Sequence, residues 1–175
     1  MFRTVAAVLA FIAVCQGCDK FPNGTETALH WFQSCTGNTV AYDLQAFDGA
    51  GNPEYPVHLS QPLYVKLNLT NNAAAPYTTL SLSMKLSTWG GWTGCNWHEL
   101  PTFGLLDNMN GCENGIPCPI PTGNNLLNVV VDFTKYDQII SLLTNDAPYQ
   151  LEQIITDTVT GDKTCVTVQT RALIK

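Results

Sequence analysis

The most regular pattern in the chain has a period of two. Leu63, Val65, Leu67 and Leu69 fall on one face of an extended segment, and Tyr64, Lys66, Asn68 and Thr70 fall on the other. Leu80, Leu82, Met84 and Leu86 repeat the pattern against Thr79, Ser81, Ser83, Lys85 and Ser87, as do Leu127, Val129, Val131 and Phe133 against Asn128, Val130 and Asp132. Val40, Tyr42 and Leu44 alternate with Ala41, Asp43 and Gln45, which predicts the first strand. Tyr149 to Ile155 reads as a strand whose alternation slips near Gln153, as a bulge would produce. A last run, Val166, Val168, Thr170 and Ala172, follows Cys165. Residues 136–143 fit a strand or a short helix, and residues 100–109 a helical turn or a loop.

Turn chemistry separates these runs. Asp48-Gly49-Ala50-Gly51-Asn52-Pro53, Asn71-Asn72-Ala73-Ala74-Ala75-Pro76 and Val159-Thr160-Gly161-Asp162-Lys163 each carry the Gly, Pro, Asn and Asp that reverse a chain. Six or seven short strands without a long helix predict an all-β fold, a two-sheet antiparallel sandwich of immunoglobulin-like type. Gly111-Cys112-Glu113-Asn114-Gly115-Ile116-Pro117-Cys118-Pro119-Ile120-Pro121 cannot sit in a helix or a central strand. It reads as a stapled loop where one sheet hands over to the other.

The N-terminus changes the picture from fold to compartment. Arg3 precedes the apolar run Val5 to Val14, which is too short to cross a bilayer and reads as a secretory signal peptide over residues 1–17. Cys18, Cys35, Cys95, Cys112, Cys118 and Cys165 then remain, an even set that predicts disulfides. Cys112 with Cys118 is favoured by proximity, and the other pairings stay open at this point. Removing Arg3 leaves seven basic against fourteen acidic side chains, a net charge of −7. The basic residues are scattered singly, which excludes a nucleic-acid surface. Acidity suits an acidic lumen, where some carboxylates protonate and repulsion from anionic lipid weakens. Asn23-Gly24-Thr25 and Asn68-Leu69-Thr70 are glycosylation acceptors, and Asn68 falls on the polar face of its strand.

Catalytic chemistry leaves no mark. His30, His58 and His98 are isolated, and there is no zinc-protease, nucleophile-elbow or phosphate-loop motif. The chain is read as a non-enzyme, with no metal or organic cofactor implied. Trp89, Trp92 and Trp97 crowd into ten residues with three glycines, either as a minor core under a disulfide or as an aromatic lip at a cavity mouth or membrane interface.

The stapled loop also carries a resemblance. Gly-Cys-x-x-Gly-Ile-x-Cys-Pro-Ile, Gly111 to Ile120, resembles the corresponding loop of the ML lipid-recognition family, in its sterol-binding branch. Trp31 to Cys35, Gly94-Cys95 with Trp97, and the ending Leu143, Thr144, Tyr149, Gly161, Cys165, Val166 and Val168 are similar to the ganglioside activator branch. The match spans residues 31–175 and leaves 18–30 as an N-terminal arm. The close cysteine pair that follows the first strand in the sterol-binding branch is missing, as are several cysteines of the activator branch, and the arm bearing Cys18 is an addition. The resemblance implies a sandwich with an internal apolar cavity that holds a lipid, a bridge from Cys35 to Cys165, and Cys18 with Cys95 as the remaining pair.

On that reading Leu67, Leu69, Leu82, Met84, Val129, Val131, Phe133 and Leu151 face the cavity, and Trp89, Trp92, Trp97 and Ile120 stand at its mouth. A sixteen-carbon chain leaving a bilayer costs on the order of 12 kcal/mol unless an apolar container receives it. The expected function is lipid binding or transfer in a secreted or endolysosomal setting. The ligand would be a sterol, phospholipid or glycolipid, held by a monomer that touches membranes transiently. The competing expectation is a secreted recognition module with a filled core that binds protein or glycan through its loops.

Overall fold

The structure is a computed structural model that describes residues 17–91 and 94–175; the expected signal segment and Trp92 therefore lie outside the described residues, apart from Gly17. The strands are β1 (His30–Gln33), β2 (Thr39–Phe47), β3 (Val57–His58), β4 (Leu63–Asn71), β5 (Leu80–Trp89), β6 (Trp97–Glu99), β7 (Met109–Asn110), β8 (Gly123–Val131), β9 (Ala147–Asp157) and β10 (Lys163–Leu173). One helical turn, α1 (Asp137–Ile140), resolves the ambiguity at residues 136–143.

The strands form two sheets. The larger has the order β1-β10-β9-β5-β6, with β3 added beside β10 and β7 beside β5, and the smaller has the order β2-β4-β8. Pairing is antiparallel except for β3, whose two residues run parallel to Ala172 and Leu173. The chain is an all-β two-sheet sandwich, and the stapled loop carries it from β7 on the larger sheet to β8 on the smaller. There Val130 N–H donates to the Gly115 carbonyl at 2.9 Å. Gly115 has φ +94° and approaches Val130 so closely that a Cβ would lie 1.9 Å from its carbonyl oxygen, so only glycine fits.

Alternation places the core. Leu67 and Leu69 on β4, Leu82, Met84 and Leu86 on β5, and Val129 and Val131 on β8 are all buried between the sheets. Two local readings of the sequence are corrected. The register of β9 runs unbroken through Gln153 against both β10 and β5, so there is no bulge there. Tyr149, Leu151, Gln153 and Ile155 share the inward face, and Gln153 is a polar residue placed among apolar ones. The irregularity lies instead in β2, between Ala41 and Asp43. Tyr42 is left 59% exposed, and the inward face passes to Leu44 and Ala46.

Three disulfides close the chain, Cys18–Cys95, Cys35–Cys165 and Cys112–Cys118. None joins a strand of the smaller sheet to one of the larger. Cys35 follows β1 and Cys165 is in β10, both parts of the larger sheet. Cys18 ties the arm to the loop before β6, where Trp89 Nε1–H donates to the Asp19 carbonyl at 2.9 Å. The bridges restrict the unfolded chain by roughly 2–4 kcal/mol each while leaving the two faces joined by packing.

Candidate functional site

Two spaces open off the sandwich interior. The first is an apolar chamber of about 60 Å³. Inward residues of the sheets line it, among them Leu44, Leu63, Val65, Leu86, Val131, Leu151 and Val168, and Val57 of β3, with Leu29, Leu59 and Phe133 from the connections, closes it. Tyr149, Gln153 and Thr170 are the lining residues that carry polar side chains. Tyr149 is held by the backbone of Thr144, whose N–H it accepts at 2.6 Å and to whose carbonyl it donates at 3.0 Å. Burial raises its phenol above the ordinary tyrosine value, so it stays neutral at physiological pH.

The second space is a vestibule of about 220 Å³ between Met84 and Gln153 of the larger sheet and the end of β8 with the stapled loop. It is lined by Met84 and Gln153 on the larger sheet, Glu113, Asn114 and Gly115 of the stapled loop, and Val130, Val131, Asp132, Lys135 and Tyr136. Val131 and Gln153 line both spaces and form their common wall. Gln153 Nε2–H donates at 3.8 Å to the Met84 sulfur, a weak acceptor, and this is its one side-chain hydrogen bond among the described residues. A hydrocarbon tail in the chamber and a polar head in the vestibule would meet at this wall.

The other end of the sandwich is more tightly packed, mixes apolar and polar side chains, and shares Gln153 with both spaces. A void of about 10 Å³ there is lined by Leu67, Leu69, Ile120, Val129, Tyr77, Thr39, Asp157 and Asp162, among others. Tyr77 donates to Asp162 Oδ2, and burial, with the carboxylate adding to it, pushes the phenol up to about 12. Asp157 is buried, with Oδ2 accepting from Thr160 N–H and Oγ1–H at 2.8 and 2.6 Å.

The residues singled out from the sequence thus fall in different places. Val131, Phe133 and Leu151 line the chamber, Met84 and Val131 the vestibule, and Leu67, Leu69 and Val129 the small far void. Leu82 is 1% exposed in the core and lines none of the three. Trp89 and Trp97 pair across β5 and β6, with ring centroids 5.2 Å apart, beneath the disulfide-tied arm. Ile120 is buried beside Tyr77, to which it is hydrogen-bonded through the backbone.

Asn68 is exposed on the outer face of β4, and Asn23 is exposed with its amide donating to Gln169 Oε1 at 2.7 Å. The histidines stay apart: His58 Nδ1 lies 2.6 Å from Glu54 Oε1, while His30 stands near Phe32 and His98 lies in β6. Among the described residues no group of three or more His, Cys, Asp or Glu could hold a metal, and no helix is long and apolar enough to cross a membrane. The expected cavity lining left out Leu44, Leu63, Val65, Leu86 and Val168, whose alternation marked them as inward or strand residues without showing that they face a space. It also missed Leu29 and Leu59 in connections and Val57 in the two-residue β3, where there is no periodicity to reveal them, and Gln153, whose only signal was the apparent slip.

No family model and no curated protein matches the chain. Among the solved structures to which it is similar is the crystal structure of a Niemann-Pick type C2 protein from Japanese carpenter ant, at 14% identity and a TM-score of 0.47, covering 83% of this chain and 99% of that one. The two-sheet architecture and the apolar chamber stand on the strands and side chains described above.

Proposed function

We propose that the chain is a lipid-binding and lipid-transfer protein that takes a hydrocarbon chain between its sheets, with residues 31–175 as the binding unit. The observation that carries this reading is the apolar chamber sharing Val131 and Gln153 with a larger, more polar space whose lining includes the exposed Glu113 and Lys135. Burial of apolar surface is the driving force, at about 0.8 kcal/mol per methylene, and no bond is made or broken. The resemblance of the Gly111 to Ile120 loop to the ML family agrees with it.

A chamber of about 60 Å³ is much smaller than a typical ligand site, which runs from roughly 300 to 1,000 Å³. Uptake therefore requires the sheets to part, as the arrangement of the disulfides permits. Met84 suits such a wall because its flexible thioether packs against variable partners. Three disulfides fit a secreted protein or one of the endolysosomal lumen, working as a monomer with brief membrane contact.

The test is transfer of a fluorescent sterol or acyl lipid from donor to acceptor vesicles, with the purified protein at catalytic concentration. Transfer above the spontaneous rate, faster at pH 5 than at pH 7, is the expected result. Protein that neither accelerates transfer nor takes up either probe refutes the proposal and leaves the recognition module with a filled core.

A further inference from the structure

We propose that Gln153 anchors the ligand's head group and that the vestibule selects an uncharged, hydroxyl-bearing amphiphile over a fatty acid or a phospholipid. This rests on the lipid reading above and adds to it the class of ligand. Gln153 is the inward-facing residue in the middle of β9 that is neither apolar nor committed to a strong partner. Leu151 and Ile155 flank it on the same face, and a thioether 3.8 Å away is its one side-chain hydrogen-bonding partner among the described residues. A half-buried amide in that position keeps donors and an acceptor available to whatever occupies the wall between chamber and vestibule.

The charge on the vestibule sets the sign of the head group. Glu113 and Asp132 supply two carboxylates and Lys135 one ammonium. Asp132 Oδ1 already accepts from Thr134 N–H and Oγ1–H at 2.9 and 2.6 Å, which fixes that carboxylate at the rim. An added carboxylate or phosphate meets an excess of negative charge on a chain that is acidic throughout, with a net charge of −6. A hydroxyl head both accepts from the Gln153 amide and donates to a rim carboxylate. Fatty alcohols and monoacylglycerols have that chemistry.

The experiment is displacement of N-phenyl-1-naphthylamine, a neutral apolar probe, by 1-monohexadecanoylglycerol and by hexadecanoate at pH 7. Wild-type protein should bind the monoacylglycerol at least fivefold more tightly. Gln153→Leu should bring the two within twofold and not lower the melting temperature. Should that variant misfold, Glu113→Gln with Asp132→Asn, which leaves Gln153 in place, should raise hexadecanoate affinity at least threefold. Equal or tighter hexadecanoate binding by the wild type, or an unchanged ratio in Gln153→Leu, overturns the head-group assignment alone. Refusal of naphthylamine and of both chains by the wild type overturns it together with the lipid reading.

Discussion

Leu86→Ala asks the chamber a direct question. Leu86 is 2% exposed, stands opposite Leu151 in the β5–β9 register and lines the chamber. Truncating a fully buried leucine costs about 2–5 kcal/mol, part of it for the cavity left behind. In a domain of this size each kcal/mol moves the melting temperature by about 2–4 °C, so a loss near 3 kcal/mol lowers it by roughly 6–12 °C. The same truncation also enlarges the space that a hydrocarbon chain must enter. A ligand at a hundred times its dissociation constant restores about 2.7 kcal/mol, and a chain that fills the void left by the leucine should restore more to the variant than to the wild type. Leu82→Ala is the control, since Leu82 is equally buried on the same strand but outside the chamber. The assay is calorimetric or circular-dichroism melting with and without saturating monoacylglycerol. Recovery in Leu86→Ala that exceeds recovery in Leu82→Ala supports the reasoning. Equal recovery places the ligand elsewhere, and no shift in any of the three proteins refutes binding in this chamber.

Gly115→Ala should destabilise the fold by about 3 kcal/mol or more, because the new Cβ would meet the Val130 carbonyl at 1.9 Å in a backbone conformation with φ +94°; a denaturant midpoint unchanged from wild type would contradict the account of the sheet handover. Tyr77→Phe removes the hydrogen bond to Asp162. With the folded phenol up at about 12 against about 10 unfolded, Tyr77 contributes stability that is complete below pH 10 and lost as pH rises to 12. Stability measured across that window should therefore fall less steeply in the variant than in the wild type, and an identical slope would refute the burial of that phenol.

How much of this was legible in the sequence depends on length and on polarity. β4, β5 and β8 each run nine or ten residues with a buried and an exposed face, so their period of two could be read directly. β3, β6 and β7 have two or three residues, too few to carry a period, and only pairing to a longer neighbour defines them. β2 misled because the bulge at Tyr42 turns one alternating run into two with opposite faces. β9 misled for a different reason: Gln153 faces inward, and a reading that equates inward with apolar sees a slip where there is a half-buried amide.

The interior shows the same division. Periodicity identifies Leu67, Leu69, Leu82, Met84, Val129 and Val131 as inward, but inward residues can pack against one another or face a space. Leu82 packs, while Val131 faces the chamber, and no pattern in the sequence distinguishes them. The difference arises from what the connections and the short β3 do at each end. Leu29, Val57, Leu59 and Phe133 gather around one end of the sandwich and leave room between them, while Tyr77 and Ile120 fill the other. Those positions depend on where loops return to the sheets. The tryptophans are a related case: Trp89 and Trp97 share a strand pairing, and the bond from Trp89 to Asp19 that draws them under the arm links residues 70 apart in sequence.

Native mass spectrometry of the gently purified protein, before and after incubation with mixed-lipid vesicles, tests the central claim most directly. The account predicts a folded, fully disulfide-bonded species carrying one lipid per chain, lost on collisional activation and reduced in proportion when a bulky side chain replaces Leu86. A bare mass under every loading condition, with the three disulfides intact, would contradict it.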